Sequence, residues 1–247
     1  MAIMTNAGIK SGKAKEPVAL PLSSLSLIIP AYNDETTVGR LITDADGILH
    51  NICRDYEIIV VNDGSKDNTL EVLKETAKRI PRMTLVNHEV NKGFGATIRE
   101  LYLAGSKDLI FSLPGDYQYH PKELLKMIEG LADGDLIIGR RVKRNDPFKR
   151  RMQSHVYNAL MRILYGAWFT DVNSIKLFRK SILDTIELVS HTPFVDAELC
   201  IRTEKAGFRV REIDIEHLPR ESQGASGGKF SVIWETFSDL VTMRKYF

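Results

Sequence analysis

The sequence predicts an α/β fold with a mostly parallel central sheet flanked by helices. Apolar runs rich in β-branched residues alternate with amphipathic helical segments through the first half of the chain, which is typical of βαβ units. The clearest run, Ile58–Val61, stops abruptly at Asn62-Asp63-Gly64-Ser65. Such a run indicates a strand buried on both faces, as in a parallel sheet.

The first half contains five predicted strands, each an apolar run bounded by polar or turn residues. They cover Leu25–Pro30, Glu57–Val61, Met83–His88, Asp108–Leu113 and Asp135–Gly139. Amphipathic spacing predicts helices between them. These cover Thr37–Ile52, Thr69–Arg79, Gly95–Gly105 and Pro121–Gly130.

The second half is less regular. A basic, Pro-containing loop over Val142–Met152 precedes further predicted elements: a helix over Ser154–Tyr165, a short strand over Lys176–Phe178, a helix over Glu198–Ala206 and an alternating strand over Val210–Ile215. A Gly/Ser-rich loop, Glu221–Lys229, leads into a last amphipathic helix. We therefore expect a loose tail over residues 1–21, one domain over 22–229 and a C-terminal helix over 230–247.

Composition narrows the class of protein. The 247 residues are 43% hydrophobic, enough for one substantial core, and 34 basic residues nearly balance 32 acidic ones, giving a net charge of +2. This balance does not favour a nucleic-acid partner. Two cysteines, Cys53 and Cys200, fit a reduced intracellular protein. The apolar runs are shorter than the roughly 20 residues of a membrane span. From the cysteines we expect a cytoplasmic protein, either free or peripheral at the cytoplasmic face of a membrane.

Polar residues follow four of the predicted strands. These strand tips are residues 30–35, 62–65, 91–95 and 114–118, and they offer an aromatic ring, carboxylates and Gly-rich turns. The carboxyl ends of parallel strands lie at one edge of a sheet, where α/β proteins bind ligands. Helix caps and loop glycines explain each tip alone about as well. Together the tips favour a site for a nucleotide base, ribose and diphosphate.

The order of the motifs PAYNDE, VVNDGSKDNT, NKGFGATIR, LPGDYQYHP, IIGRR and FVDAEL resembles that of the family-two inverting glycosyltransferases of GT-A fold. It is most similar to the polyprenyl-phosphate branch, which includes dolichyl-phosphate-mannose-synthase-like enzymes. The resemblance extends from Leu25 to Lys229. It implies transfer of a sugar from a nucleotide-diphosphate-sugar donor to a polyprenyl-phosphate acceptor, with inversion.

The resemblance also implies where the nucleoside half of the donor binds. It indicates Pro30, Tyr32, Asp34, Asp63, Lys92 and Gly93. Two of these have a structural alternative, since Asp34 could cap the following helix and Tyr32 could pack in the core. For Asp63 the binding role is favoured, because a cap there would duplicate Ser65 and Asp67.

The metal-binding Asp-x-Asp element of the family reads Pro114-Gly115-Asp116 in this chain. The resemblance implies that Asp116 is catalytic and that, with Gln118, it binds a divalent cation, Mg²⁺ or Mn²⁺. Because Pro114 replaces one carboxylate, three alternatives remain: Asp116 with diphosphate oxygens suffices, basic residues compensate, or the protein binds the donor without transferring its sugar. The family's diphosphate-covering residues correspond to Arg220, Ser226 and Lys229.

On the acceptor side, the resemblance implies that Arg141, Arg150 and Ser154 bind the lipid phosphate, which suits guanidinium geometry. A solvated basic loop, or one that attracts anionic headgroups, is the alternative. Asp196 matches a family carboxylate that acts as a general base toward hydroxyl acceptors. With a phosphate acceptor it could instead orient the donor sugar or an arginine, or simply cap its helix.

The last helix places Phe230, Ile233, Trp234, Phe237, Leu240 and Val241 on one side. It packs on the domain or lies on a membrane surface. A lipid acceptor would then be reached by peripheral contact with the membrane or through a membrane-protein partner.

Overall fold

The structure is a computed structural model that describes residues 20–142, 157, 159–221 and 230–246. Seven strands in this part of the chain form one sheet. They are β1 (Leu22–Ala31), β2 (Cys53–Asp63), β3 (Met83–His88), β4 (Leu109–Ser112), β5 (Leu136–Val142), β6 (Lys176–Arg179) and β7 (Val210–Glu216).

The strand order is β3-β2-β1-β4-β6-β5-β7. Strand β6 is antiparallel to both neighbours, β4 and β5, and every other pair is parallel. The predicted α/β fold with a mostly parallel sheet is therefore confirmed. Because β1 to β4 all run in one direction, their carboxyl ends lie at the same edge of the sheet.

Helices cover both faces of the sheet. They are α1 (Val38–Ile52), α2 (Thr69–Arg79), α3 (Phe94–Ala104), α4 (Glu123–Gly130), α5 (residues 159–165), α6 (Val195–Lys205) and α7 (Phe230–Thr242), with two 3₁₀ turns at Lys180–Ile182 and Met243–Tyr246. Helices α1, α2 and α4 enclose one core, and α3, α5, α6 and α7 enclose the other.

The central strands explain why the sheet is buried on both sides. In β2, Ile58 and Val60 belong to the core under α1, whereas Ile59 and Val61 belong to the core under α3. Successive strand residues point to opposite faces, so a run of four β-branched residues contributes equally to both cores. The prediction of a doubly buried strand is confirmed.

Element boundaries differ from the prediction where pairing extends a strand. Strand β2 begins at Cys53 because it pairs with Leu22 of β1. Strand β5 continues to Val142 because Arg140 and Arg141 pair with β7. Helix α6 begins at Val195, so Asp196 lies in its first turn. These shifts place two predicted site residues, Arg141 and Asp196, inside regular elements.

Helix α7 packs on the domain, but its apolar side is only partly buried. Leu240 is fully buried and Phe237 packs against Tyr157, with ring centroids 6.0 Å apart. Trp234 and Val241 are 68% and 57% exposed. The neighbouring core therefore covers only one stripe of the predicted apolar side. No helix among the described residues is long and apolar enough to cross a membrane.

Candidate active site

The four predicted strand tips meet at the carboxyl edge of the sheet. The backbone N–H of Asn33 donates to Ser65 Oγ at 3.0 Å, and the N–H of Gly115 donates to the carbonyl oxygen of Pro30 at 3.1 Å. Hydrogen bonds therefore join the tip of β1 to the tips of β2 and β4. The third tip is joined to the tip of β2 by the carboxylate of Asp63.

Asp63 is buried and orders the turn that precedes α3. Its Oδ1 accepts from the backbone N–H of Lys92 at 2.8 Å and lies 2.9 Å from His88 Nδ1, and its Oδ2 accepts from the N–H of Gly93 at 2.9 Å. Gly93 has a φ of +87°, which a residue with a side chain rarely adopts. The carboxylate thus fixes Lys92 and Gly93, the other residues expected at the nucleoside.

His88 extends this cluster away from the site. Its Nε2 lies 3.1 Å from Glu100 Oε2, and the side chain of Lys92 donates to the same oxygen at 3.4 Å. Neither His88 nor Glu100 was singled out by the sequence, because each looks like an ordinary strand or helix residue until the fold brings them together.

The first tip contains one buried and two half-buried residues of the predicted nucleoside site. Asp34 is buried, and its Oδ2 accepts from the N–H of Tyr32 at 3.0 Å. The carbonyl oxygen of Asp34 accepts from the N–H groups of Thr37 and Val38, each at 3.0 Å, so the backbone of Asp34 contacts the start of α1. Tyr32 and Pro30 are half-buried and are not core residues.

Asp116 is a buried carboxylate beside a guanidinium. Its Oδ1 accepts from the N–H of Gln118 at 3.1 Å, and its Oδ2 lies 3.8 Å from Arg220 Nη2. Burial raises the pKa of Asp116, and the Gln118 N–H, Arg220 and His217 offset this only in part. A bound cation would therefore stabilise the ionised form of the Asp116 carboxylate.

The backbone after Asp116 is anchored on α1. Tyr117 has a φ of +57°, and its hydroxyl donates to Asp44 Oδ2. The guanidinium of Arg40 lies 4.3 Å from the centre of the Tyr117 ring and makes two 3.0 Å hydrogen bonds to Glu221. Tyr117 and Glu221, which follow Asp116 and Arg220 in the chain, are therefore both held on α1.

Arg141 is engaged with Asp171 by two guanidinium nitrogens. Its Nε donates to Asp171 Oδ2 at 2.8 Å and its Nη2 donates to Oδ1, while its backbone N–H also contacts Oδ2. Both side chains are largely buried. A phosphate would therefore have to share Arg141 with Asp171. The other residues expected at phosphates, Arg150, Ser154, Ser226 and Lys229, lie outside the described residues.

Asp196 forms a buried ion pair that the sequence did not predict. Lys176 Nζ lies 2.9 Å from Asp196 Oδ1, and the hydroxyl of Tyr102 donates to the same oxygen at 2.6 Å. Helix α6 has Phe194 as its N-cap, with no side-chain capping bond, so Asp196 is not the cap. The sole sequence signal for Lys176 is a charged residue between the apolar Ile175 and Leu177.

A small cleft that is open to solvent lies beside this pair, with a volume of about 20 Å³. It is lined by the ends of β1 and β4, the start of α3, the segment before β6 and the first turn of α6. The lining residues include Pro30, Phe94, Pro114, Ser174 and Asp196. The cleft therefore connects the predicted nucleoside side with the predicted catalytic carboxylate Asp196.

Solved structures share this architecture. Glucosyl-3-phosphoglycerate synthase from Mycobacterium tuberculosis, in complex with phosphoglyceric acid, superposes with a TM-score of 0.70 over 90% of this chain and 80% of that chain, at 17% identity. The same enzyme with Mn²⁺, UDP-glucose and phosphoglyceric acid gives a TM-score of 0.69 at 16% identity, with the same coverage. The fold is the GT-A fold of glycosyltransferases.

The family follows from the sequence comparisons. Residues 26–187 match the model of glycosyl transferase family 2, and the chain belongs to this family. Relatives include the undecaprenyl-phosphate 4-deoxy-4-formamido-L-arabinose transferases of Edwardsiella ictaluri, 28% identical over 88% of this chain and 67% of that protein, and of Proteus mirabilis, 26% identical over 90% and 68%. The protein is thus a glycosyltransferase, as the motif order predicted.

Proposed function

We propose that this glycosyltransferase moves a sugar from a nucleotide-diphosphate-sugar donor to a polyprenyl-phosphate-type lipid, with inversion. The supporting observation is the joining of the strand tips at one edge of the sheet, where the buried carboxylate of Asp116 faces the cation Arg220. The relatives named as undecaprenyl-phosphate sugar transferases, which align over most of this chain, support the lipid acceptor. The UDP complexes of the structural neighbours support a nucleotide donor.

In the proposed reaction, an oxygen of the acceptor phosphate attacks the anomeric carbon from the side opposite the diphosphate. The bond from that carbon to the diphosphate oxygen breaks, and the nucleoside diphosphate leaves with the bonding electrons. A phosphate is already ionised near neutral pH, so no protein base has to remove a proton. The protein contributes orientation and positive charge at the leaving group.

Pro30, Tyr32, Asp34 and Asp63 are proposed to surround the nucleoside, with Lys92 and Gly93 in the turn that Asp63 orders. Arg220 is proposed to act on the diphosphate, together with Ser226 and Lys229. Its position 3.8 Å from Asp116 supports this role, since a cation there would lie close to any diphosphate held at the same strand tip.

A divalent cation fits the same place. Mg²⁺ is commonly held by one or two carboxylates together with substrate phosphate oxygens, and Asp116 is a buried carboxylate whose pKa is raised by burial. Asp116 and Gln118 are the residues proposed to hold Mg²⁺ or Mn²⁺. When bound, such an ion neutralises developing charge on the diphosphate. Pro114 leaves Asp116 without the neighbouring carboxylate of the family motif.

The acceptor phosphate is proposed to bind at Arg141, Arg150 and Ser154. Exposed apolar side chains support a peripheral contact with the cytoplasmic face of a membrane, where such a lipid would be reached. Ile163 and Trp168, in and just after α5, are 76% and 72% exposed, and Trp234 and Val241 extend from α7. The guanidinium of Arg162 lies 4.8 Å from the Trp168 ring centre, a pairing suited to lipid headgroups. A membrane-protein partner is the alternative route.

Transfer to a hydroxyl acceptor is the second candidate function, because Asp196 lines the cleft and could serve as a base. One experiment separates the two. The purified protein is incubated with a panel of UDP-sugars and with either undecaprenyl phosphate or saccharides and small alcohols as acceptors. Each reaction is run with and without Mg²⁺ or Mn²⁺, and the products are separated by chromatography. We expect glycolipid from undecaprenyl phosphate, and its loss in Asp116→Ala.

The exposed Asp184→Asn variant is the matched control and should keep wild-type rates. Product formed solely from hydroxyl acceptors would contradict the proposed acceptor. Unchanged activity in Asp116→Ala would remove Asp116 from the mechanism. UDP binding by calorimetry without product from either acceptor class would instead identify a protein that binds the donor and does not transfer its sugar.

A further inference from the structure

A lysine with no exposed surface lies beneath the cleft. Lys176 is the first residue of β6 and is 0% exposed, and its Nζ donates to the carbonyl oxygen of Ser174 at 2.9 Å. A buried ammonium is costly unless a negative charge is near it. The carboxylate of Asp196, 2.9 Å away, supplies that charge.

The carboxylate of Asp196 is fixed through one of its two oxygens. Lys176 Nζ and the hydroxyl of Tyr102 both contact Oδ1. Burial and the charge of Asp196 raise the pKa of Tyr102 well above its usual range, so this phenol remains a donor. Within the described part of the chain, no hydrogen bond reaches Asp196 Oδ2, and the residue lines the cleft. Oδ2 is therefore the oxygen available to a ligand.

We propose that Lys176 is a positioning residue that acts through Asp196. It fixes this carboxylate, so that Oδ2 accepts a hydrogen bond from a hydroxyl of the bound sugar and orients it. This inference rests on the proposed function and deepens it, because a carboxylate that only orients the sugar requires an acceptor that is already ionised.

Asp196 is the carboxylate that the buried Lys176 contacts. The titratable groups facing the pair are Tyr102, Tyr157 and Cys200. Burial raises the pKa of Tyr157 far above its usual range and that of Cys200 to about 12, so both are uncharged near neutral pH. Lys176 therefore depends on the contact with Asp196 for a negative partner.

A double-mutant cycle tests the inference. Lys176→Met, Asp196→Asn and the double variant are assayed for transfer from the UDP-sugar that serves the wild type to undecaprenyl phosphate. Each single variant should lose about 100-fold in kcat, the range expected when a reactant is misoriented. The loss of kcat in the double variant should be no larger than in Asp196→Asn alone, because the effects of substituting two residues that act as one unit are not additive. The dissociation constant for UDP should stay the same.

The double variant also guards against misfolding, since it buries no unpaired charge. If a single variant does not fold, the double variant decides, and a kcat within about threefold of wild type would overturn the inference. The matched control is the exposed pair Lys107 and Asp55, whose Nζ and Oδ2 lie 2.6 Å apart. Lys107→Met and Asp55→Asn, alone and together, should leave kcat unchanged.

The pH profile separates failure of this inference from failure of the proposed function. We expect the plots of log kcat against pH for the wild type and for Asp196→Asn to have the same shape. If undecaprenyl phosphate is the acceptor but the losses of kcat in the two single variants multiply in the double variant, the role of Lys176 is overturned and the proposed function stands. Transfer solely to a hydroxyl acceptor, with a limb that vanishes in Asp196→Asn, would overturn both, as would transfer to neither acceptor class.

Discussion

The carboxylate of Asp63, at the end of β2, accepts a 2.8 Å hydrogen bond from the backbone N–H of Lys92 in the turn before α3. A second bond, from the N–H of Gly93 to the other carboxylate oxygen, completes the contact. Two strand tips separated along the chain are thereby locked together at the proposed nucleoside site. An aspartate is required because both of its oxygens accept.

Asp63→Asn tests this contact. The amide nitrogen of Asn would face a hydrogen-bond donor, so we expect the free energy of unfolding to fall by about 1–3 kcal/mol. Because the same turn is proposed to meet the nucleoside, affinity for UDP should fall as well. Urea unfolding and calorimetry with UDP measure the two effects. Wild-type values for both would contradict the assigned role, and Asp184→Asn provides the unaffected control.

Asp116 should make the ligand-free protein less stable at neutral pH. Its pKa is raised in the folded protein, so folding favours the protonated form. The stabilising contribution is present below the ordinary carboxyl pKa and is lost as pH rises through the raised pKa. Asp116→Asn should therefore increase the free energy of unfolding at pH 7, measured without donor or metal.

That gain should disappear below about pH 4, where the wild-type carboxyl is also neutral. A decrease in stability at pH 7 would show that Asp116 is better compensated than its burial indicates. Added Mg²⁺ should stabilise the wild type and not Asp116→Asn if the carboxylate holds the ion. Thermal unfolding at several Mg²⁺ concentrations measures this difference.

Gly95 permits the close approach of α3 to the segment before α6. A Cβ built at this position would lie 2.1 Å from the carbonyl carbon of Thr192. Because this neighbour is backbone, Gly95→Ala should lower the free energy of unfolding by about 1–3 kcal/mol or more. Gly47→Ala is the control, since nothing lies within 4 Å of its Cβ and alanine favours helix α1. Equal effects of the two substitutions would refute the packing argument.

The exposed tryptophans should govern contact with a membrane. Trp168→Ala and Trp234→Ala should each weaken binding to vesicles of mixed anionic and zwitterionic phospholipid by about tenfold, as expected for one buried aromatic side chain. Co-sedimentation measures the bound fraction. Leu125→Ala, at an exposed position of α4 on the other face of the sheet, should leave binding unchanged. Equal binding by all variants would remove this surface as the contact.

Local patterns in the sequence predicted much of the fold. The strand Ile58–Val61 could be identified because burial on both faces requires an uninterrupted apolar run, and Asp63 was singled out because it follows that run directly. The parallel direction of β1 to β4 then required their tips to meet. In contrast, which apolar residues of α7 are buried could not be predicted, because it depends on which stripe of the helix the neighbouring core covers.

The sequence by itself determined the alternation of strands and helices, the edge at which the tips meet and the family to which the chain belongs. The tertiary structure decided which charges pair. Asp171 lies 30 residues from Arg141, and Lys176 meets Asp196 because β6 enters the sheet antiparallel beside β4. Apolar periodicity is a local property of the chain, whereas an ion pair depends on where distant segments are brought together.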